Sequence, residues 1–308
     1  MQSPSQTKRQ RVQFWDRVEK PIEWLIRFCG WSSILCVIAI FLFIVKEAGP
    51  KMWDLDWVHF FTSDRWIPNP AGDNAPSFGA LALIAGTFTT TFLAMLFAVP
   101  LGLGAAVYIS EFAEGKVKET LKIVIELLAA IPSIVWGFIG LMVMGPIIKD
   151  FTGADQGTNL LNGSLILGLM SVPLIVSLSE DAMRAVPDTY REAALALGAN
   201  KWETVYRVLF PAARNGLLAA VMLGMGRAIG ETMAVLMATG HSAQIPHALT
   251  DPIRTMTATI AAELAETVHG GDHYRVLFII GVVLFLITCT INVVSDLVIK
   301  GIKNQNKS

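Results

Sequence analysis

Charged side chains are scarce in this sequence. Asp, Glu, Lys and Arg make up 16% of the 308 residues, whereas soluble globular domains usually carry about 25%. Hydrophobic residues reach 53%, and the mean hydropathy is +0.54. The charges that are present cluster between long uncharged stretches. This composition excludes an ordinary soluble domain and indicates a membrane protein.

Cysteine is also rare, and the chain has three: Cys29, Cys36 and Cys289. An odd number of thiols within apolar runs excludes a disulfide framework, and we interpret them as small, buried core residues. A net charge of −1 gives no indication of a nucleic-acid partner. Residues 1–27 are polar and basic, and the apolar run that follows is too long for a signal peptide, so we expect it to remain as a spanning helix.

Two further absences concern chemistry. The sequence has no G-x-x-x-x-G-K-[ST] loop, so we do not expect this chain to hydrolyse a nucleotide itself. Four acidic residues lie scattered near predicted helix ends, where they would pair or cap: Glu126, Glu180, Asp181 and Asp296. They form no cluster of nucleophile, base or metal ligands with other residues. We therefore predict a chain that is not an enzyme, with no catalytic residues, no metal site and no cofactor of its own.

Long apolar runs dominate what is present. A helix that crosses a membrane needs about 20 mostly apolar residues. Pro100, Pro132 and Pro173 lie inside such runs, where each invites a kink or a break. We predict an all-α polytopic membrane protein in the cell (inner) membrane with six spanning helices, over residues 28–48, 78–109, 121–148, 161–183, 214–240 and 274–299.

The basic residues predict the orientation. Most Lys and Arg residues lie in the N-terminal segment, in the second-to-third and fourth-to-fifth connections, and in the tail. Basic residues favour the cytoplasmic side, so we expect both termini in the cytoplasm. The predicted units are an N-terminal segment over 1–27 that holds an interfacial helix, a permease domain over 28–299 that includes a cytoplasmic elbow over 184–213, and a cytoplasmic tail over 300–308.

The fourth-to-fifth connection has its own helical pattern. Good helix formers follow Pro187-Asp188, and Gly198 stands where a helix would end. We predict a short helix, a sharp turn, and a second helix from about Trp202 that Pro211 breaks before the fifth span. Such an elbow could dock into a groove of another protein or pack on its own bundle, and physical reasoning alone leaves both alternatives open.

The spacing in this connection resembles a known motif. Glu192-Ala193-Ala194, Gly198 and the later Val208-x-Phe210-Pro211 are similar to the E-A-A-x3-G-x9-I-x-L-P pattern of ABC-importer permeases, with Val for Ile and Phe for Leu as departures. The resemblance implies the type I ABC importer permease fold. It also implies that Glu192, Ala193, Ala194 and Gly198 form a coupling helix that docks on a cytoplasmic ATPase subunit.

The fifth span contains a charged pair. Arg227 and Glu231 are four residues apart, so we predict that they share one helix face and pair near the middle of the bilayer. Charges at that depth are costly and usually line a pathway or meet a partner. Arginine presents donors that suit an anion such as phosphate. The alternative is a pair that only neutralises itself while packing the bundle.

The string GRAIGETMAV, together with ELLAAIPSIVWGF and VPDTYREAALALGA, resembles the phosphate-specific permeases of ABC importers, the PstC family. The resemblance implies the permease of an ATP-driven phosphate importer with Arg227 and Glu231 in the substrate path. It also implies a second permease resembling PstA, an ATPase dimer resembling PstB that binds ATP and Mg, and an extracytoplasmic binding protein resembling PstS. The alternatives are a permease for sulfate, molybdate or phosphonate, an ion-coupled secondary transporter, and a membrane enzyme.

Overall fold

The computed structural model describes residues 4–70 and 75–305. These residues form thirteen helices and one small hairpin. The helices are α1 Pro4–Met52, α2 Trp57–Thr62, α3 Leu81–Val107, α4 Gly115–Ala130, α5 Ser133–Ile139, α6 Gly145–Thr152, α7 Leu160–Arg184, α8 Asp188–Ala196, α9 Lys201–Thr204, α10 Phe210–Gly230, α11 Met233–Ala238, α12 Met256–Glu263 and α13 Asp272–Gln305. The strands β1 Trp66–Ile67 and β2 Ser77–Phe78 pair antiparallel. Three π-helical turns, Tyr108–Phe112, Gly140–Met144 and Val205–Leu209, extend or join helices.

Among the described residues, six helical segments are long and apolar enough to cross a membrane, which confirms the predicted number. They are Pro21–Met52, Leu81–Phe112, Ser133–Thr152, Leu160–Arg184, Lys201–Gly230 and Asp272–Leu297. The fourth is the centre of the bundle, because 67% of its most apolar window is buried, and it packs against α3 and α10. The first has none of its window buried and packs mainly against α13.

The third span starts later than predicted. The helix expected over 121–148 is split, because α4 ends at Ala130 and α5 begins at Ser133. Pro132 lacks the N–H that a continuous helix would need, and Ile131 before it is extended at ψ 123°. Helix α4 has no buried residue, and it is held to α7 by Lys122, whose Nζ lies 2.9 Å from Glu180 Oε1.

The N-terminal prediction is also corrected. The separate interfacial helix expected within residues 1–27 is instead the start of α1, which runs without interruption through Pro21 into the first span. Residues 1–3 of that segment and residues 306–308 of the predicted tail lie outside the described residues. The three cysteines, predicted to be buried, are exposed on spanning segments, because the side chains at these three positions do not face the protein core.

Pro211 does not break the second helix of the elbow. It lies at the start of α10, directly after the π-helical turn Val205–Leu209, and the segment Lys201–Gly230 continues through it. Proline is tolerated in the first turn of a helix because its missing N–H would have no partner there. Because the wider π-helical turn comes directly before α10, Pro211 lies in a first turn even though the span is continuous.

One close approach sets how the connection between the fifth and sixth spans sits on the bundle. A Cβ added at Gly86 of α3 would collide with the backbone carbonyl oxygen of Arg254. Ile253 beside it is fully buried. Glycine at this position therefore lets the backbone of this connection lie directly against the second span.

We expect Gly86→Ala to lower the melting temperature of the purified protein in detergent, because the added methyl group forces the two backbones apart. The free energy of unfolding should fall by about 1–3 kcal/mol. Gly104→Ala in the same helix is the matched control, since a Cβ there meets nothing within 4 Å. Equal melting temperatures for the two variants would contradict the close approach.

Candidate functional site

The predicted elbow exists. Helix α8 ends at Ala196, and Gly198 adopts φ +84°, the left-handed conformation that glycine accepts without strain. The N–H of Gly198 donates to the carbonyl of Leu195 at 2.9 Å, and that of Ala199 donates to the carbonyl of Ala194 at 3.0 Å. These two bonds form a Schellman motif, which stops the helix and turns the chain.

The second helix of the elbow is capped at its start. The side chain of Asn200 accepts a hydrogen bond from the N–H of Glu203 at 2.8 Å, and the carboxylate of Glu203 accepts from the N–H of Asn200 at 3.0 Å. This reciprocal pair is a capping box. Helix α9 continues without interruption into the fifth span, as part of the helical segment Lys201–Gly230.

Arg191 fixes the elbow to the bundle, and sequence reasoning missed it. Its guanidinium donates to both carboxylate oxygens of Glu111, at 2.8 and 3.1 Å. It also donates to the backbone carbonyls of Met183 and Val186 and to the carboxylate of Asp188. The hydrogen bond with Glu111 raises the pKa of Arg191 above its ordinary value, against the opposing effect of burial. The only sequence signal was a basic residue directly before Glu192.

The motif residues face in two directions. Ala194 is buried against the bundle, whereas Glu192, Ala193 and Gly198 are exposed. Around them lies an exposed apolar and aromatic surface, here called the elbow patch, in which Leu197 is 89% exposed. Large apolar patches of this kind mark interaction sites. The elbow patch consists of Tyr190, Leu195, Leu197, Trp202 and Tyr206.

The predicted pair in the fifth span does not form. Helix α10 ends at Gly230, and Glu231 is extended at φ −70°, ψ 136°. Glu231 therefore leaves the helix face that carries Arg227, and no ion pair joins the two among the described side chains. One carboxylate oxygen of Glu231 instead lies 3.4 Å from the N–H of Ala234, at the start of α11. The pair was predicted from a continuous helix, and the break removes its basis.

Arg227 remains on α10 and is exposed, on the same face as Leu223 and Gly230. It belongs to a segment apolar enough to span a membrane. An exposed charge on such a segment is costly against lipid, so this face is suited to a water-filled path or a polar partner surface.

Helix α12 packs into the bundle next to the break between α10 and α11. From sequence, the residues of α12 were expected to belong to an outer connection. The hydroxyl of Thr257 donates to the backbone carbonyl of Glu231 at 2.7 Å. The N–H of Met256 donates to the hydroxyl of Thr87 in α3 at 3.0 Å. At eight residues, α12 is too short for a hydropathy criterion to detect.

The far end of α12 carries a cluster of polar contacts, on the side of the bundle opposite the elbow. The carboxylate of Glu263 accepts from Arg254 at 2.6 Å, from the Trp66 indole at 2.9 Å, and lies 2.8 Å from Nε2 of His273. Arg254 also donates to the backbone carbonyl of His241. Glu263 thereby ties together β1, α12 and the start of α13.

Over the part of the chain that the structure describes, no three His, Cys, Asp or Glu side chains lie together so that they could hold a metal ion.

Comparison with known families gives one match over most of the chain. Residues 98–304 match the family described as binding-protein-dependent transport system inner membrane component. A probable ABC transporter permease protein, YqgH of Bacillus subtilis, is 41% identical over 86% of this chain and 85% of its own length. Phosphate transport system permease protein PstC of Mesorhizobium japonicum is 38% identical over 74% of each chain, and PstC 1 of Mycobacterium tuberculosis is 34% identical over 90% and 91%.

Solved structures support the same fold. The bacterial alginate ABC transporter, in complex with its pentasaccharide-bound periplasmic protein, contains a chain that aligns with a TM-score of 0.59 at 14% identity, over 91% of this chain and 95% of that one. The MetNI methionine ABC transporter contains one that aligns with a TM-score of 0.55 at 20% identity, over 73% and 94%. At such identities the likeness establishes the type I importer permease fold and nothing about substrate.

His241 gives a pH-dependent prediction. Burial, and secondarily the charge of Arg254, lower the pKa of His241 from 6.5 to about 4. As the pH falls, His241 therefore takes up a proton in the unfolded chain before it does so in the folded chain. The folded state loses stability as the pH falls from 6.5 towards 4. We expect His241→Asn to reduce this loss in thermal unfolding scans between those pH values. Asparagine tolerates the positive φ of 53° found here. Parallel stability profiles for the two proteins would contradict the prediction.

Proposed function

This chain belongs to the binding-protein-dependent transport system inner membrane components, and we propose that it is the permease subunit of an ATP-driven importer of inorganic phosphate. It is a multi-pass inner-membrane protein and a transport subunit of an ABC importer. The substrate is inferred from the relatives, because PstC proteins that are 33–38% identical over most of the chain are named as phosphate permeases.

The single observation that carries the anion path is the placement of Arg227. It is exposed on α10 within a segment fit to span the membrane, and no carboxylate of the described residues neutralises it. A guanidinium offers fixed donors that match the oxygens of phosphate. Glu231 lies one turn further along the chain, where the helix breaks. Its negative charge would moderate the field of Arg227, which lets a bound anion leave again.

The elbow is the proposed coupling element. Glu192, Ala193, Ala194 and Gly198 would form the coupling helix, and the elbow patch would fit the groove of an ATPase subunit. The structural features that suit this role are the bonds of Arg191, which hold α8 against the end of α3, and the unbroken segment Lys201–Gly230. A displacement of the ATPase would thus move the second and fifth spans.

An importer of this family works with an ATPase and a substrate-binding protein. We propose that the second permease resembles PstA, that the ATPase dimer resembles PstB and binds ATP and Mg, and that the binding protein resembles PstS. The elbow end of the bundle and both termini would face the cytoplasm, and the Glu263 cluster would face the binding protein. ATP binding would open the path outward, and hydrolysis would return it to the inward-open state.

The first test is uptake of labelled phosphate into proteoliposomes that contain the assembled complex, with sulfate and molybdate as competitors. We expect uptake that requires ATP and the binding protein and that resists a hundredfold excess of either competitor. Transport of another oxyanion in place of phosphate would overturn the substrate but keep the permease role. Uptake driven by an ion gradient without ATP would overturn both.

Arg227→Gln and Leu197→Asp separate the path from the coupling element. We expect Arg227→Gln to lower phosphate uptake at least tenfold while the ATPase still copurifies, because an uncharged amide loses the charge-assisted bonds. Leu197→Asp places a charge in the elbow patch, so we expect the ATPase to be lost on purification. Wild-type uptake in the first variant, or full copurification in the second, would contradict the respective assignment.

A further inference from the structure

Three hydroxyl groups connect the break between α10 and α11, at the end of the fifth span, to the rest of the bundle. Thr257 Oγ1 lies 2.7 Å from the carbonyl oxygen of Glu231 and 3.1 Å from Thr255 Oγ1. A carbonyl cannot donate, so the Thr257 proton points at Glu231, and the proton between the two threonines belongs to Thr255. The bonds therefore run in one direction, from Thr255 to Thr257 to the backbone of Glu231.

The start of this chain of bonds is itself fixed. Thr255 caps α12 by accepting from the N–H of Ala258 at 3.2 Å. The next residue, Met256, donates its N–H to Thr87 of α3, which in turn donates to the carbonyl of Leu83. Thr255 and Thr257 are 3% and 7% exposed, so water does not compete for these bonds. The second span thus holds α12, and α12 holds Glu231.

The bond from Thr257 matters because the helix breaks between α10 and α11. In a continuous helix the carbonyl of residue 231 would accept from the N–H four residues on. Glu231 is extended instead, and α11 begins only at Met233. A carbonyl left unpaired inside the protein costs free energy, and the hydroxyl of Thr257 meets that need while fixing where the backbone of Glu231 lies.

We propose that Thr257 is a positioning residue for transport: it holds Glu231, at the end of the fifth span, in the place where its carboxylate acts on the anion path. Thr257 does not touch the anion and acts through Glu231. The inference rests on the proposed function, because it takes Glu231 to belong to that path.

The test compares three variants in the reconstituted complex. Thr257→Val removes the hydroxyl at nearly constant volume, and Thr257→Ser keeps it. Thr259→Val is the matched control: Thr259 is fully buried in the same helix, but its hydroxyl donates only to the carbonyl of Thr255 within that helix, at 2.9 Å. Three quantities are measured. They are the initial uptake rate over a range of concentrations of the loaded binding protein, the amount of phosphate transported per ATP hydrolysed, and the copurification of the partner subunits.

We expect Thr257→Val to lower the maximal uptake rate about tenfold, because Glu231 loses the hydrogen bond that holds its backbone in place during transport. A tenfold change in rate corresponds to about 1.4 kcal/mol in the barrier. The concentration of binding protein at half-maximal rate and the copurification should stay unchanged, and phosphate per ATP should fall. Thr257→Ser and Thr259→Val should remain within about twofold of wild type.

Wild-type uptake and stoichiometry in Thr257→Val would overturn the proposal, and so would an equal loss in Thr259→Val. If Thr257→Val does not assemble, Thr257→Cys replaces it under the same criteria, because a thiol is a weak donor of similar size. If the wild-type complex carries another oxyanion, the phosphate assignment fails by itself, and the same comparison made with that oxyanion still decides the role of Thr257.

Discussion

The structure depends on one constraint: a backbone polar group inside a membrane must find a partner in the protein. Helices meet this demand along their length, and every interruption has to be satisfied in another way. The helix of the fifth span ends at Gly230, directly before the extended Glu231, and the third span begins only after Ile131-Pro132. At Glu231 the partner is the hydroxyl of Thr257. Three features bring that hydroxyl into place: the packing of α12 into the bundle, the glycine at position 86 and the threonine at position 87.

The same constraint connects the two ends of the molecule. Helix α12 has eight residues and is about 12 Å long at 1.5 Å per residue. It reaches from the contact with Glu231 to the cluster around Glu263, which fixes it to β1 and α13. At the other end, Arg191 holds the elbow to α3 and the π turn carries it into the fifth span. Rigid elements therefore lead from both ends to the neighbourhood of Arg227 and Glu231.

The number of spans and the elbow could be predicted from sequence because their signals are local. Hydropathy over about 20 residues identifies a span, and Gly198 after a run of helix formers identifies a left-handed cap. The break at Glu231 could not be predicted in this way, because neither Gly230 nor Thr232 excludes a helix. The bonds of Thr257 to Glu231, of Arg191 to Glu111 and of Trp66 to Glu263 join residues that are 26, 80 and 197 positions apart in sequence. Single-sequence patterns carry no information about such pairs. The predicted pairing of Arg227 with Glu231 was wrong because it assumed a helix that continues through Glu231.

The exposed position of Arg227 bears on where a transport path can run. The apolar side chains that remain uncovered on α1 and α5 are satisfied by lipid, because hydrocarbon tails are as apolar as they are. The guanidinium of Arg227 is not satisfied in that way, since a charge in hydrocarbon costs several kcal/mol, about 2.5 or more. A path enclosed within this chain alone would leave Arg227 facing lipid. A path at the proposed boundary with a second permease would place the same side chain against water and anion, and in that arrangement its exposure would carry no cost.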